Sequence, residues 1–278
     1  MAQPLIITVA AVGAEVTLEQ QPNLPVTPRQ LATDAGACQA AGASIYHLHV
    51  RDQNGCATMD VETFRRAQEA ITEATDLIVQ FTSGGAVGDD DDARVAPLSL
   101  RPEMATLTTG SVNFVSDVFM NPAPLVERLY RKMREGATLP EFEIFEAGMI
   151  ASAERVYAKH GDGHHRHFDF VLGVPGALPA APGAIAFLCS LLPDGSTWSA
   201  TGIGRAHLAV MEEALESGGH VRTGFEDVRY LQPGRPATSN AELVERVATL
   251  AADRDRVVVG PQEAREMLGL SGRGTLTR

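Results

Sequence analysis

Cysteine is scarce in this sequence, and long apolar runs are absent. Three cysteines, Cys38, Cys56 and Cys189, are spread over 278 residues, without the close pairing of a zinc ribbon or a redox site. We therefore expect reduced thiols and a cytoplasmic protein. The chain lacks the run of about 18 apolar residues that a membrane helix needs. Its start, Met1-Ala2-Gln3-Pro4, lacks the basic region of a signal peptide.

The chain also has fewer positively charged than negatively charged residues. The chain has 23 Lys and Arg against 35 Asp and Glu, which gives a formal net charge of −12. Nucleic acids and anionic membranes attract basic surfaces, so we expect neither as a partner. Hydrophobic residues make up 44% of the sequence, which is enough for a large core. We expect the partners to be small molecules.

Short apolar stretches alternate with segments of helical character along the chain. Eight stretches are predicted to be strands: residues 5–12, 43–52, 76–81, 103–108, 141–145, 168–174, 196–202 and 219–224. Strands that alternate with helices run parallel, and eight such units favour a (β/α)8 TIM barrel. The alternative, an open doubly wound sheet, would carry a glycine fingerprint after its first strand, which Gly13-Ala14-Glu15-Val16 does not match. We expect one domain over residues 1–278.

Two histidines occupy alternate positions of the second predicted strand. Alternate residues of a strand share one face, so His47 and His49 point to the same side. Imidazole is the commonest metal ligand, and a His-x-His pair needs one or two further ligands to hold Zn²⁺. The alternative is a pair of half-buried histidines that are satisfied by backbone groups.

A further ligand is expected from the eighth strand. In a closed barrel the eighth strand lies beside the first, whose other neighbour is the second, and functional groups sit at the carboxyl ends of strands. If the strand stays regular, Arg222 and Glu226 share a face, with Asp227 at the turn. Glu226 would complete a His₂Glu zinc site with open positions for substrate. The alternative is an ion pair between Arg222 and Glu226.

Polar residues also end four other predicted strands. They are Glu15, Ser83, Thr108 and Glu143. Each alone is typical of a cap or a turn, but together they predict a polar mouth on an apolar barrel.

The seventh strand ends in a short glycine motif, Gly202-Ile203-Gly204-Arg205. Free N–H groups at the start of a helix attract phosphate, and this part of a TIM barrel commonly binds it. We predict phosphate binding by Gly202, Gly204 and Arg205, with a tight turn as the alternative.

A second group of histidines precedes the sixth strand. His164, His165 and His167 would lie at the opposite end of the barrel, so we interpret them as an exposed loop. His220 begins the eighth strand and is interpreted as structural.

Seven short segments form a pattern when they are taken together. They are Gly13-Ala14-Glu15, Pro25-Val26-Thr27-Pro28, His47-Leu48-His49-Val50-Arg51-Asp52, Pro102-Glu103-Met104-Ala105, Gly202-Ile203-Gly204-Arg205, Gly218-Gly219-His220-Val221-Arg222 and Glu226-Asp227. With these segments the chain resembles the β-keto acid cleavage enzymes along almost its whole length. The resemblance implies a TIM barrel and a zinc-dependent exchange in which a β-keto acid and acetyl-CoA give acetoacetate and a new acyl-CoA.

The resemblance also implies roles for individual residues. His47, His49 and Glu226 would hold Zn²⁺, which would bind the substrate oxygens and stabilise the enolate. Asp227, positioned by Arg222 and Ser83, would be the base.

The remaining residues that the resemblance implies would line the substrate pocket. Thr108 or Thr109 would lie there with Glu143, and Glu15 would meet the far end of the substrate. Val12 stands where the family pattern has Asn or Thr, and Thr82-Ser83-Gly84-Gly85 only approximates its Ser/Thr-Gly-Gly turn. The side chain of the keto acid is therefore not carried over.

Two other classes of function compete with this one. A metal-dependent hydrolase of the amidohydrolase type also has His-x-His, but on its first strand and with further histidines at later strand ends. A non-catalytic protein that binds a metal or a ligand is the third class. A homo-oligomer, specifically a tetramer, is expected from the resemblance alone.

Overall fold

Eight parallel strands close into a barrel in this computed structural model, which describes residues 3–161 and 163–270. The strands are β1 Ile7–Ala10, β2 Ile45–Leu48, β3 Ile78–Phe81, β4 Met104–Thr108, β5 Leu139–Ile144, β6 His167–Leu172, β7 Thr197–Gly202 and β8 His220–Thr223. Each strand pairs with its neighbours in sequence, and β8 pairs with β1 to close the barrel. The predicted TIM barrel is confirmed.

An α-helix follows each barrel strand, and one more helix lies near the end of the described chain. The helices are α1 Pro28–Ala41, α2 Val61–Ala74, α3 Asp91–Val95, α4 Ala123–Glu135, α5 Gly148–His160, α6 Ala184–Cys189, α7 His207–Glu216, α8 Asn240–Ala252 and α9 Pro261–Met267. Helix α1 starts where Thr27 and Gln30 form a reciprocal capping box and Pro28 takes the first helical position, both typical of helix starts. Within the described residues, no helix has the length and apolar character needed to cross a bilayer.

The barrel interior is apolar at one end only. The floor of the barrel is an apolar cluster from five neighbouring strand segments, closed from below by α9. Its barrel members are Ile6, Ile45, Ile78, Met104 and Leu139. The next inward residue along β2, β3 and β5 is polar and buried: His47, Gln80 and Glu141. Because side chains alternate along a strand, the polar layer lies on the side of the floor that faces the carboxyl ends.

The loop after β8 is fixed from outside the barrel by Asn240, the first residue of α8. The Asn240 amide accepts a hydrogen bond from the Phe225 N–H at 2.8 Å and donates to the Ala11 carbonyl at 3.2 Å. It also donates to the Asp34 carboxylate at 3.1 and 3.2 Å, and Asp34 accepts from the Tyr46 hydroxyl at 2.8 Å. One buried amide thus ties α1 and β1 to the loop that follows β8.

Replacing Asn240 by Ala should lower the free energy of unfolding by about 3 kcal/mol, because buried groups of Phe225, Ala11 and Asp34 lose a partner. Urea unfolding followed by circular dichroism measures this. Asn23→Ala is the matched control, since that amide donates to the Thr238 carbonyl from an exposed position and should cost less than about 0.5 kcal/mol. Equal losses in the two variants would contradict the structural role of Asn240.

Candidate functional site

Three potential ligands meet at the carboxyl end of the barrel. His47 Nε2 lies 3.7 Å from Glu226 Oε2, and His49 Nε2 lies 3.6 Å from Glu226 Oε1. The two imidazole centroids are 5.2 Å apart. One ligand atom from each of the three residues lies within 4.8 Å of the others. The structure therefore brings together the three residues that the sequence pointed to.

Glu226 reaches this position through a turn and not through a regular strand. Strand β8 ends at Thr223, and Gly224 follows with φ 142°. A Cβ on Gly224 would collide with the main chain of Ala10, so the loop packs directly on β1. The Glu226 N–H donates to the Ala10 carbonyl at 3.1 Å. The regular strand on which the shared face of Arg222 and Glu226 depended ends at Thr223, but the turn still brings the two side chains together.

Gly13 completes the backbone fit around Glu226. It has φ 65°, and a Cβ there would lie 2.7 Å from Glu226 Cγ. A larger residue would therefore displace the carboxylate. Arg51 holds the same loop, because its Nη2 donates to the Gly13 carbonyl at 2.6 Å and to the Val16 carbonyl at 2.8 Å. Sequence reasoning gave Arg51 no role, although it is part of the His-x-His segment.

The donor set fits a divalent cation such as Zn²⁺. Burial lowers the pKa of His47 to about 3 and also lowers the pKa of His49, so both rings are neutral and able to ligate. Burial alone would raise the pKa of Glu226, but Arg222 and the two histidines bring it down to about 2. Glu226 Oε2 is buried and makes no hydrogen bond within the described residues. Two neutral imidazoles and one carboxylate match the protein ligands of a catalytic His₂Glu zinc site.

Three carboxylates contact the guanidinium group of Arg222. Its Nη2 lies 2.6 Å from Glu226 Oε1, and its Nη1 lies 3.3 Å from Glu143 Oε1. Two donors face Asp227 at 3.0 and 3.1 Å. The predicted ion pair of Arg222 and Glu226 and the three-residue cluster therefore exist together and do not exclude each other.

Asp227 has the environment of a general base. It is buried, and burial raises its pKa to about 7 against the opposing pull of Arg222. A base with a pKa near neutrality can take up a proton and later release it at physiological pH.

Glu143 and Thr108 form the opposite wall of the site. The Thr108 hydroxyl donates to Glu143 Oε2 at 2.7 Å. The Thr109 hydroxyl donates instead to the Met149 carbonyl at 2.8 Å, so Thr108 is the threonine that faces the site. Burial raises the pKa of Glu143 to about 8, while Arg222 opposes this rise.

Ser83 does not contact Asp227 through its hydroxyl. The hydroxyl donates to the Thr106 carbonyl at 2.6 Å, and the Ser83 carbonyl accepts from Arg94 Nε at 2.9 Å. The expectation that Ser83 positions Asp227 is corrected, because a neighbouring strand already satisfies the hydroxyl. Arg94, which the sequence did not single out, also donates to Asn121 and so joins the loops after β3 and β4.

The rim of the site carries Glu15. It is exposed, and its Oε1 accepts from the Val87 N–H at 3.4 Å. Burial lowers the pKa of both His49 and Arg51, and the negative charge of Glu15 opposes this shift. Val12 is buried in the apolar core and offers no polar group to a ligand.

The glycine motif after β7 packs against its own helix. A Cβ on Gly202 would lie 2.6 Å from His207 Cα. Gly204 has φ 57°, and its N–H donates to the Asp227 carbonyl at 2.8 Å. Arg205 is exposed in the same 3₁₀ turn. The geometry has the tight turn given above as the alternative, and phosphate binding at Gly202, Gly204 and Arg205 stays a prediction.

The histidines before β6 are not a simple exposed loop. His167 is the first residue of β6 and is buried, with its Nε2 3.3 Å from Glu141 Oε2. His165 is partly buried, and its Nε2 lies 2.7 Å from the Thr197 hydroxyl. The prediction was wrong because β6 starts earlier than the apolar run and turns His167 inward. His220 is structural in the sense predicted, since its Nδ1 accepts from the Ile6 N–H at 3.2 Å.

Comparison with known proteins shows which family the chain matches. The family described as "beta-keto acid cleavage enzyme" matches residues 4–270. Two "3-keto-5-aminohexanoate cleavage enzyme" proteins are similar: the one from Acetoanaerobium sticklandii is 42% identical over 271 residues (97% of this chain, 99% of the relative). The one from Fusobacterium nucleatum is 45% identical over 273 residues, with the same shares.

A more distant relative and a solved structure extend the comparison. The "3-oxoadipate:acetyl-CoA acetyltransferase" of Cupriavidus necator is 38% identical over 275 residues, which covers 97% of this chain and 96% of the relative. The apo structure of ObcA superposes with a TM-score of 0.77 at 19% identity, covering 90% of this chain and 66% of that chain. That last likeness supports the barrel fold.

Replacing Glu226 by Gln should weaken Zn²⁺ binding at least about 100-fold, because even groups outside the ligand shell contribute 10–100-fold to metal affinity. Competition with a chromophoric chelator measures the dissociation constant. Glu216→Gln, at the exposed end of α7, is the control and should bind like the wild type. Unchanged affinity in the Glu226 variant would rule out this carboxylate as a ligand.

Glu143 should make the metal-free protein less stable as the pH rises from about 5 to about 8. The native pKa of about 8 lies above the ordinary value of 4.5, so in this window the native protein keeps a proton that the unfolded chain releases. Glu143→Gln does not titrate, so its free energy of unfolding relative to wild type should rise with pH. Urea unfolding at several pH values gives this difference, and a pH-independent difference would contradict the raised pKa.

Proposed function

The chain belongs to the β-keto acid cleavage enzyme family, and we propose that it condenses a β-keto acid with acetyl-CoA in a Zn²⁺-dependent reaction that yields acetoacetate and a new acyl-CoA. The observation that carries this proposal is the pairing of Asp227, held by two donors of Arg222, with the His47, His49 and Glu226 cluster. The arrangement puts a base with a near-neutral pKa next to a site for a Lewis acid.

The first step is removal of a proton from the carbon between the keto and carboxylate groups. Asp227 takes this proton, and Arg222 orients the carboxylate that receives it. A Zn²⁺ held by His47, His49 and Glu226 would supply Lewis acidity that polarises the keto group. The resulting carbanion attacks the acetyl carbonyl of acetyl-CoA, which forms a carbon–carbon bond and releases the coenzyme A thiolate.

The second half of the reaction breaks the original carbon–carbon bond. The thiolate attacks the former keto carbon of the condensed product, and retro-Claisen cleavage releases the new acyl-CoA. The other fragment takes back one proton, which Asp227 can return, and leaves as acetoacetate. Buried Glu143 and Thr108 line this part of the site, while Glu15 is available at the rim for the distal end of the keto acid.

The names of the relatives support acetyl-CoA as the second substrate. They differ in the β-keto acid that they name, 3-keto-5-aminohexanoate or 3-oxoadipate, so both belong in a substrate panel. Coenzyme A binding at the exposed Arg205, beside the loop that carries Asp227, remains part of the proposal. Assembly as a homo-oligomer, a tetramer, and a cytoplasmic location stay predictions.

The hydrolase alternative is not favoured. Among the described residues the metal cluster holds two histidines from one strand end and a glutamate. The later strand ends bring carboxylates to the site, where the amidohydrolase pattern needs histidines. The relatives are named for cleavage and acetyl-CoA transfer, which agrees with the carboxylate-rich site.

The zinc-loaded protein should form acetoacetate from acetyl-CoA and at least one β-keto acid of the panel. Asp227→Asn should lower the turnover number by about 10²–10⁴-fold, the usual contribution of a positioned base, with the zinc content unchanged. Asp194→Asn, an exposed carboxylate in the loop before β7, is the control for an Asp-to-Asn change. Hydrolysis without coenzyme A would favour the hydrolase, and bound zinc with no product from any keto acid would favour a binding protein.

A further inference from the structure

Gln80 is a buried polar residue that the proposed reaction does not use. It lies on β3 directly opposite His47 of β2 in the strand register, and it is 0% exposed. Its Oε1 lies 2.8 Å from His47 Nδ1. The other ring nitrogen of His47 is the one that faces Glu226, so both edges of this imidazole are engaged.

The direction of the contact between Gln80 and His47 decides which tautomer His47 adopts. If the amide oxygen faces Nδ1, then Nδ1 must carry the proton and Nε2 keeps a free lone pair. If the amide were turned around, its N–H would donate to Nδ1 and the proton would sit on Nε2. A protonated Nε2 cannot ligate a metal, so the orientation of the Gln80 amide controls whether His47 can bind the metal ion.

Glu141 supplies the reason for one orientation. It is buried on the inward face of β5 and interacts with the Gln80 side chain. An ionised carboxylate attracts the NH₂ of a neighbouring amide and repels its oxygen, which favours the orientation with the Gln80 oxygen toward His47, although Gln80 Nε2 and both Glu141 oxygens make no hydrogen bond within the described residues. Contact with His167, whose Nε2 lies 3.3 Å away, and with Gln80 lowers the pKa of Glu141 although burial alone would raise it.

His167 contacts the carboxylate of Glu141. Its Nδ1 lies 2.8 Å from the Thr197 hydroxyl, which leaves Nε2 to face Glu141. The printed contacts therefore form two groups, Thr197–His167–Glu141 and the hydrogen-bonded pair Gln80–His47. Among the described residues, His49 has no comparable hydrogen bond at its Nδ1, so His47 is the histidine of the pair that the barrel interior orients.

We propose that Gln80, oriented by Glu141, is a positioning residue that holds His47 as the Nδ1–H tautomer so that Nε2 faces the metal. This inference rests on the metal-binding part of the proposed function and is independent of the carbon–carbon chemistry. Partners of this kind around metal-bound histidines contribute 10–100-fold to metal affinity.

The test is a zinc titration of three variants against a chelator. Gln80→Met keeps the length of the side chain and removes the amide, so it should weaken Zn²⁺ binding 10–100-fold. Glu141→Gln removes the negative charge that favours one orientation of the amide and should weaken binding less. In the double variant Glu141→Gln should add nothing further, because Glu141 acts through Gln80. The proposal is overturned if Gln80→Met binds zinc within about twofold of wild type or if the two effects add in full.

A matched control separates positioning from loss of stability. Ser199→Ala removes another buried hydrogen bond of the barrel interior, which the Ser199 hydroxyl donates to Asp169 Oδ1 at 2.7 Å. The melting temperature of the metal-free protein should fall in this variant as in Gln80→Met, but its zinc affinity should stay at the wild-type value. A drop in zinc affinity for Ser199→Ala equal to that for Gln80→Met would reduce the role of Gln80 to general stability.

A second measurement needs neither metal nor turnover. Long-range ¹H–¹⁵N spectra of the metal-free wild type report histidine tautomers, and His47 should be the Nδ1–H form. An Nε2–H tautomer would overturn the proposal even if Gln80→Met failed to fold. Wild-type protein that binds zinc but forms no acetoacetate would defeat the proposed function alone, because the titration and the spectra would still decide the role of Gln80.

Discussion

The site depends on one buried cation, the guanidinium of Arg222. It contacts Glu143 on β5 and Glu226 and Asp227 on the loop after β8, so it joins elements on different sides of the barrel. Burying a charge is costly unless it is paired and hydrogen-bonded. The Arg222 guanidinium meets both conditions, because it has three carboxylate partners. Of the three carboxylates only Glu226 has a lowered pKa, so it stays ionised beside two neutral histidines, which is an environment that favours a divalent cation.

The same guanidinium leaves its three partners with different acidities. The pKa of Glu226 falls to about 2, because Arg222 and two histidines together outweigh its burial. Burial dominates at Asp227 and Glu143, whose pKa values rise to about 7 and about 8. When their environments give neighbouring carboxylates different pKa values, the carboxylates can serve different chemical roles. Glu226 is suited to ligation, Asp227 to proton transfer, and Glu143 to a neutral contact with the substrate.

The sequence predicted the features that local rules control. The period-two pattern placed His47 and His49 side by side, and the βα rhythm led to the barrel. Side-chain contacts between neighbouring strands were missed. The partner of the Ser83 hydroxyl is a carbonyl on the next strand, and His167 turns inward to Glu141. Such contacts depend on strand register, where a shift of one residue exchanges the two faces.

The division of the barrel interior separates the proposed metal ligands from the residues proposed to select the substrate. The ligands and their supports are buried in a layer fixed by backbone packing, as at Gly224 against Ala10, where any added side chain would collide. Changes there would disturb several charged groups at once. Glu15 and Arg205 lie instead on exposed loops at the mouth, which tolerate substitution. The proposed reaction therefore assigns the chemistry to the strand ends around Arg222 and the choice of keto acid in part to loop residues that the buried layer does not constrain.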